Sequence, residues 1–238
     1  EVGDNKKLST FQSGLVLYIP FDEGSGTIAY DLSGYGNNGT LLDASSTNAD
    51  GNRPPQWVTG KVGGALSFDG VDDYVDIGNK DSLNFGVQSF SVAFWVKNPP
   101  STFGRVISKM GATGTGDPNI QAGWYVTALS TGVAWGIGDG TNVWIKPTDA
   151  YSFASETWYL IVGVFDRENG KFRDYVNGEL LKETDISIYG SVNNNRIFYI
   201  GRRDYSNATY FNGYLDEIRV YSRALSPDEI KVLYQSAQ

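Results

Sequence analysis

The sequence has no cysteine and no histidine. Without cysteine there is no disulfide, no thiolate nucleophile and no thiolate metal ligand. Without histidine there is no Ser-His-Asp triad, no Cys-His dyad and no imidazole pH switch. The two absences together exclude almost every zinc site. What remains is oxygen chemistry from carboxylates, amides, hydroxyls and carbonyls, which suits hard cations, above all calcium. Positive charge is scarce as well. Against 27 Asp and Glu stand 19 Lys and Arg, a formal net charge of -8. Such a chain repels nucleic-acid phosphates and anionic membrane surfaces, so neither is an expected partner. No apolar run approaches the roughly 18 residues of a membrane helix, and the longest, such as Trp158 to Phe165, suit buried strands. No secretory signal is visible, and the start at Glu1 reads as a processed end or an arbitrary boundary, since a removed signal leaves no trace.

What is present is glycine and aromatic residues. The 238 residues include 29 Gly, 15 Tyr, 12 Phe and 6 Trp. Glycines punctuate short β-branched and aromatic runs, the pattern of an all-β sandwich or barrel. Strands are expected over 14–20, 65–68, 74–77, 89–97, 105–109, 123–129, 133–138, 142–146, 157–165, 171–176, 179–183, 196–201 and 213–221. In the fourth of these, Phe90, Val92, Phe94 and Val96 share one face and Ser91, Ala93 and Trp95 the other. Asn177-Gly178 reads as a two-residue type I′ hairpin turn. One helix is signalled, near the C-terminus. Ser226 caps it, Pro227 suits its first turn, Glu229 completes a capping box, and Ile230, Leu233 and Tyr234 form its apolar face. Residues 1–12 read as a polar arm or linker and 13–238 as one domain, with no break in composition.

Several groups carry candidate chemistry. Asp22 and Glu23 follow the first strand, Asp31 opens a loop rich in glycine and amides, and Asp216 and Glu217 lie inside a late strand beside Leu215 and Ile218. A buried acid there needs a partner. It is either an arginine, with Arg219 at hand, or a calcium ion in a cage that Asp22, Asn38 and Asp216 can complete. The run Phe68 to Asp76 is either a tight turn signalled by Asp69-Gly70 or a second cation or polar-ligand site. Among the aromatics, Trp95, Trp135 and Trp158 read as core. Trp144 shares its face with Asn142 and Lys146 and reads as an exposed stacking residue. Trp124 and Tyr125 adjoin a long loop at 111–122, and one of the two points away from the core. The segment 201–212 brings Arg202, Arg203 and Tyr205 to a strand end, where they form either a solvated loop or a saccharide site that hydrogen-bonds and stacks. Asn38 and Asn207 sit in N-glycosylation patterns.

Signatures of catalysis are missing. The Glu-x-Asp-x-x-Glu strand of many β-sandwich glucanases has its only start at Glu183 and Asp185 and fails at Ile188. A sialidase-type Ser-x-Asp-x-Gly box starts at Ser67 and Asp69 and fails at Val71. No phosphate-cradling loop follows a strand.

Motifs in order along the chain carry a resemblance: Gly14-Leu-Val-Leu-Tyr-Ile-Pro-Phe-Asp-Glu-Gly-Ser-Gly26, Asp31-Leu-Ser-Gly-Tyr-Gly-Asn-Asn-Gly-Thr-Leu41, Gly63-Gly-Ala-Leu-Ser-Phe-Asp-Gly-Val-Asp-Asp-Tyr-Val75, Phe90-Ser-Val-Ala-Phe-Trp-Val-Lys97, Tyr175-Val-Asn-Gly-Glu-Leu180, Ile200-Gly-Arg-Arg203, and Phe211-Asn-Gly-Tyr-Leu-Asp-Glu-Ile-Arg-Val-Tyr-Ser-Arg-Ala-Leu-Ser-Pro-Asp-Glu-Ile230. From about residue 13 to 235 the chain resembles the LamG-like, concanavalin A-like jelly-roll domains of the laminin G type 3 group. The resemblance implies a two-sheet antiparallel jelly roll and a module of a secreted or cell-surface multidomain protein. Many such modules bind carbohydrate, and similar folds hold a structural calcium. Carried across, its ligands are Asp22, the loop of Asn37, Asn38 and Gly39, by side chain or by carbonyl, and Asp216. The expected function is non-catalytic binding of poly- or oligosaccharide at Trp144, Trp124, Tyr125, Arg203, Tyr205 and Arg202. The rivals are a protein-binding adhesion domain and a hydrolase or lyase with an unrecognised carboxylate pair.

Overall fold

The computed structural model describes residues 12–44, 54–100, 104–110, 122–186, 190–203 and 209–238, with the side chains of residues 144–150 excepted. The strands are β1 (Leu15–Ile19), β2 (Ile28–Ala29), β3 (Gly39–Asp43), β4 (Gln56–Thr59), β5 (Gly64–Asp69), β6 (Asp73–Gly78), β7 (Phe90–Lys97) and β8 (Arg105–Met110). They continue as β9 (Gly123–Leu129), β10 (Gly132–Gly138), β11 (Val143–Ala150), β12 (Trp158–Asp166), β13 (Lys171–Val176), β14 (Glu179–Asp185), β15 (Phe198–Ile200) and β16 (Asn212–Tyr221). Helix α1 (Pro227–Gln235) follows.

These strands form two eight-stranded antiparallel sheets. The first runs β14-β13-β12-β7-β16-β5-β4, with β1 also on β16, and the second runs β11-β10-β9-β8-β15-β6-β3-β2. This is the expected jelly roll. The alternation in β7 separates its two faces. Phe90, Val92, Phe94 and Val96 enter the core between the sheets, whereas Ala93 and Trp95 join a second apolar cluster on the outside of the first sheet. Helix α1 covers that cluster with Ile230 and Leu233, and Tyr234 stacks on Trp95 with ring centroids 5.8 Å apart. The helix starts as its sequence requires: Glu229 N donates to Ser226 Oγ, and Ser226 N donates to Glu229 Oε2 at 2.8 Å. At the β13–β14 turn Asn177 and Gly178 have φ of 53° and 84°, as a type I′ turn demands.

Three strands were not expected: β2, β3 and β4. Each is short or lies in a polar stretch, so its pairing is decided by neighbours such as β6 and β5 rather than by its own pattern. Trp158 is a correction of another kind. It is half-buried beside the outer cluster and packs edge-on against Tyr214 at 6.4 Å, since it opens β12 at the margin of the sheet. Trp135, by contrast, is fully buried as expected. Its ring lies over Gly163, where a Cβ would come within 2.5 Å of it, and its indole N–H donates to Asp174.

Candidate functional site

Strand β9 alternates. Trp124, Val126 and Ala128 point into the core, so Tyr125 and Thr127 stand on the opposite, outer face of the second sheet. Register then draws a line across that face. Asp76 of β6 pairs with Tyr199 of β15, Tyr199 with Ser108 of β8, Ser108 with Tyr125, and Tyr125 with Gly136 of β10. The Tyr125 ring lies across Gly136, a position where a Cβ would meet it at 2.2 Å. On the ring rests Arg105, with its guanidinium carbon 3.2 Å from the centroid and Nη1 donating to Thr127 Oγ1 at 2.9 Å. Further along, the Arg202 guanidinium carbon lies 4.6 Å from the Tyr74 ring, 4.7 Å from Tyr199 and 5.7 Å from Tyr210. Tyr74 and Tyr199 meet edge to face at 5.6 Å. Burial, and after it the positive charge of Arg203, hold the Arg105 pKa below its usual value, yet an arginine stays charged at neutral pH.

Of the expected ligand residues, Tyr125, Arg202 and Arg203 therefore gather around this face. Trp124 does not. It is 1% exposed, its ring 5.4 Å from that of Phe90 and 5.5 Å from that of Phe198, because the strand's alternation sends it inward. The backbone of Trp144 pairs with Ile137, and its side chain lies outside those described, as does all of Tyr205. Arg105, Tyr74, Tyr199 and Tyr210 were missed. Arg105 opens an apolar strand and looks like a strand boundary. Only the pairing of β8 with β9 sets it over Tyr125.

The acids form separate groups. Asp22 Oδ1 accepts from Gly64 N at 2.6 Å, and Asp216 Oδ2 accepts from Lys61 N at 2.8 Å and Val62 N at 3.0 Å. The two carboxylates thus clasp one turn, between β4 and β5. Asp216 is fully buried and its Oδ1 has no hydrogen-bond partner. Burial, chiefly, raises its pKa to about 7. The arginine pairing falls to its neighbour: Glu217 binds Arg219 and accepts from the Tyr18 hydroxyl at 2.8 Å. The amides have other duties. Asn37 donates to Val16 O at 2.7 Å and to Ser82 Oγ at 2.9 Å, Asn38 Oδ1 accepts from Asp31 N at 2.9 Å, and Gly39 is a β3 residue paired with Ala29. Asp69, Asp72 and Asp73 bring carboxylate oxygens within 4.8 Å of one another. Asp73 Oδ2 accepts from Asp69 N and Asp69 Oδ1 from Val71 N, bonds that shape the β5–β6 turn. A polar pocket of about 440 Å³ lies elsewhere, lined in part by Gln88, Ser89, Asp166, Glu168 and Arg223. Its Asp166 binds Arg173 and its Arg223 binds Glu229.

Comparison with known proteins extends this picture. The laminin G type 3 family model, described as the concanavalin A-like lectin/glucanases superfamily, matches residues 69–231. Botulinum neurotoxin type X of Clostridium botulinum is 27% identical over 203 residues, which are 83% of this chain and 15% of the toxin. The botulinum-like toxin eBoNT/J of an Enterococcus strain is 23% identical over 208 residues, or 83% of the chain and 16% of that toxin. The chain thus spans about a sixth of the length of these curated relatives. Among solved structures, the binding domain of Paraclostridial Mosquitocidal Protein 1 has a TM-score of 0.74 at 17% identity, covering 95% of this chain and 53% of that one. Domain 4 of an extracellular arabinanase from Geobacillus stearothermophilus, in complex with arabinotriose, has a TM-score of 0.65 at 20% identity, covering 94% of this chain and 99% of that one. No helix among the described residues is long and apolar enough to cross a membrane. A family match over more than half of the sequence, on the two-sheet jelly roll described above, makes this chain a member of the concanavalin A-like lectin/glucanases superfamily.

Proposed function

We propose that this chain is a non-catalytic carbohydrate-binding module of a larger extracellular or cell-surface protein. Its glycan lies on the outer face of the second sheet. The observation that carries this reading is the pair of guanidinium groups laid on tyrosine rings, Arg105 on Tyr125 and Arg202 among Tyr74, Tyr199 and Tyr210. The stacks fix fork-shaped donors in place before a ligand arrives, which lowers the ordering cost of binding. The expected mechanism is thereby altered. Tyr125 and Tyr199 are each 7% exposed and serve as supports for arginine rather than as open platforms for sugar rings. The arabinotriose complex of a domain with this fold supports a saccharide ligand. Along the line from Asp76 to Gly136 there is one carboxylate, Asp76, whereas glycoside hydrolysis uses two.

A calcium ion at the β4–β5 turn completes the proposal. Asp216 Oδ1, buried and unbonded, is an oxygen that a hard cation would satisfy, and Asp22 holds the other side of the same turn. The side-chain amides of Asn37 and Asn38 are engaged within the fold, which leaves the carbonyls of that loop as the ion's ligands beside Asp22 and Asp216. It would tie β1 and β16 to the turn and stabilise the folded state by binding only that state.

A second reading, a protein-binding module, draws on Tyr30, Leu32 and Tyr35, which are exposed together on the loop after β2. A melting-temperature screen against soluble glycans separates the two. The account expects one glycan class to raise the melting temperature by several degrees near a hundredfold excess over Kd, where binding contributes about 2.7 kcal/mol, with no reducing ends released. A screen in which no glycan moves the curve contradicts it and favours the protein partner. Accumulating reducing ends would instead show an enzyme.

A further inference from the structure

The two ends of the tyrosine–arginine face differ: Asp72 and Asp43 lie near Tyr210 at the Arg202 end, whereas the charged group at the other end is Arg105. Arginine has five N–H donors and no acceptor. A neutral sugar hydroxyl both donates and accepts, so sites built for neutral sugars include a carboxylate or amide to receive its proton. At the Arg105 end the charged group is the guanidinium fork, lying on the Tyr125 ring. Arg105 donates to Thr127 Oγ1 and is also hydrogen-bonded to Tyr125, and among the described residues it has no carboxylate partner. A half-buried cation with no acid among the described residues has a place for one from outside. The planar fork matches a carboxylate or a sulfate in bidentate geometry.

We propose that the Arg105 end of this face binds an acidic saccharide, one bearing a carboxylate or sulfate group; this rests on the carbohydrate reading above and narrows it. The anion meets the Arg105 fork while Tyr125 holds the fork flat against the sheet. The sugar ring then extends along the row toward Arg202. The net charge of -8 opposes long polyanions, so short acidic oligosaccharides, or acidic residues spaced along a largely neutral glycan, are the favoured form.

The test is calorimetric titration of the whole chain with trigalacturonate, a sulfated chondroitin disaccharide, neutral arabinotriose and tri-glutamate. At least one of the two acidic sugars should bind about tenfold or more tighter than arabinotriose, the order of a charge-assisted bidentate contact. Arg105→Ala should remove that advantage. Arg105→Lys should recover part of it, since it keeps the charge and loses the fork. Melting curves of both variants confirm that they fold, and Arg105→Lys carries the test if Arg105→Ala does not. Carboxylate preference or sulfate preference each supports the proposal and identifies the anion. Binding of arabinotriose alone overturns the acidic class and leaves the carbohydrate reading standing. Equal binding of tri-glutamate overturns the saccharide, and binding of none of the four overturns both readings.

Discussion

Trp135→Ala is expected to cost about 4 kcal/mol of stability or more, at the upper end of large-to-small core substitutions. The indole is fully buried between the sheets. It packs against Phe94, Phe165 and Phe172, with centroid separations of 6.5, 5.9 and 5.5 Å. Gly163 of β12 is open to admit it. Truncation removes these contacts together and takes away the indole donor of buried Asp174. Neighbouring strands cannot close over the space without breaking register, so little of the cavity collapses. Urea denaturation followed by circular dichroism reads the loss directly. A loss below about 1 kcal/mol would mean that the ring is not the keystone of the inter-sheet core.

Chelation is expected to produce the second large effect. If calcium sits at the β4–β5 turn, millimolar calcium at about a hundredfold excess over Kd adds about 2.7 kcal/mol. For a chain of this length that corresponds to roughly 5–10 °C in melting temperature. The physical source is Asp216. Its buried Oδ1 has no partner, and burial pushes its pKa up to about 7, so ionising it without a cation costs free energy. Asp216→Asn keeps an acceptor for the Lys61 and Val62 amides and removes the charge. The calcium-dependent shift should vanish in this variant and persist in Asp76→Asn, whose carboxylate serves Gly78 N on the other sheet. An unchanged melting curve after exhaustive chelation of the parent chain would refute the metal at Asp22 and Asp216.

The fold was largely legible because its long strands are patterned by burial on two faces. β7 shows this best: its alternation assigned Phe94 to one cluster and Trp95 to the other, and both assignments hold. The capping box at Ser226 and the Asn177-Gly178 turn were legible because they are local chemistry. The binding face was only half legible. Arg202 and Arg203 drew notice through their composition, but what makes Arg105 distinctive is a neighbour on another strand, and no local pattern encodes that pairing. Trp124 and Tyr125 show the limit from the other side. The sequence says that one of them faces out, and a single step of register decides which. Asn37 and Asn38 drew notice because turns and cation sites use the same residues, and the bonds to Val16 and Asp31 show what their side chains hold, which no local pattern encodes.

A bound glycan should lie on the outer face of the second sheet. Hydrogen exchange with and without the best glycan of the screen tests it most directly. Exchange should slow in β8, β9 and β15 around Arg105, Tyr125 and Tyr199 and stay unchanged at the β12 end near Asp166. Protection confined instead to the pocket beside Gln88 and Asp166, or to the loop of Tyr30 and Leu32, would contradict it.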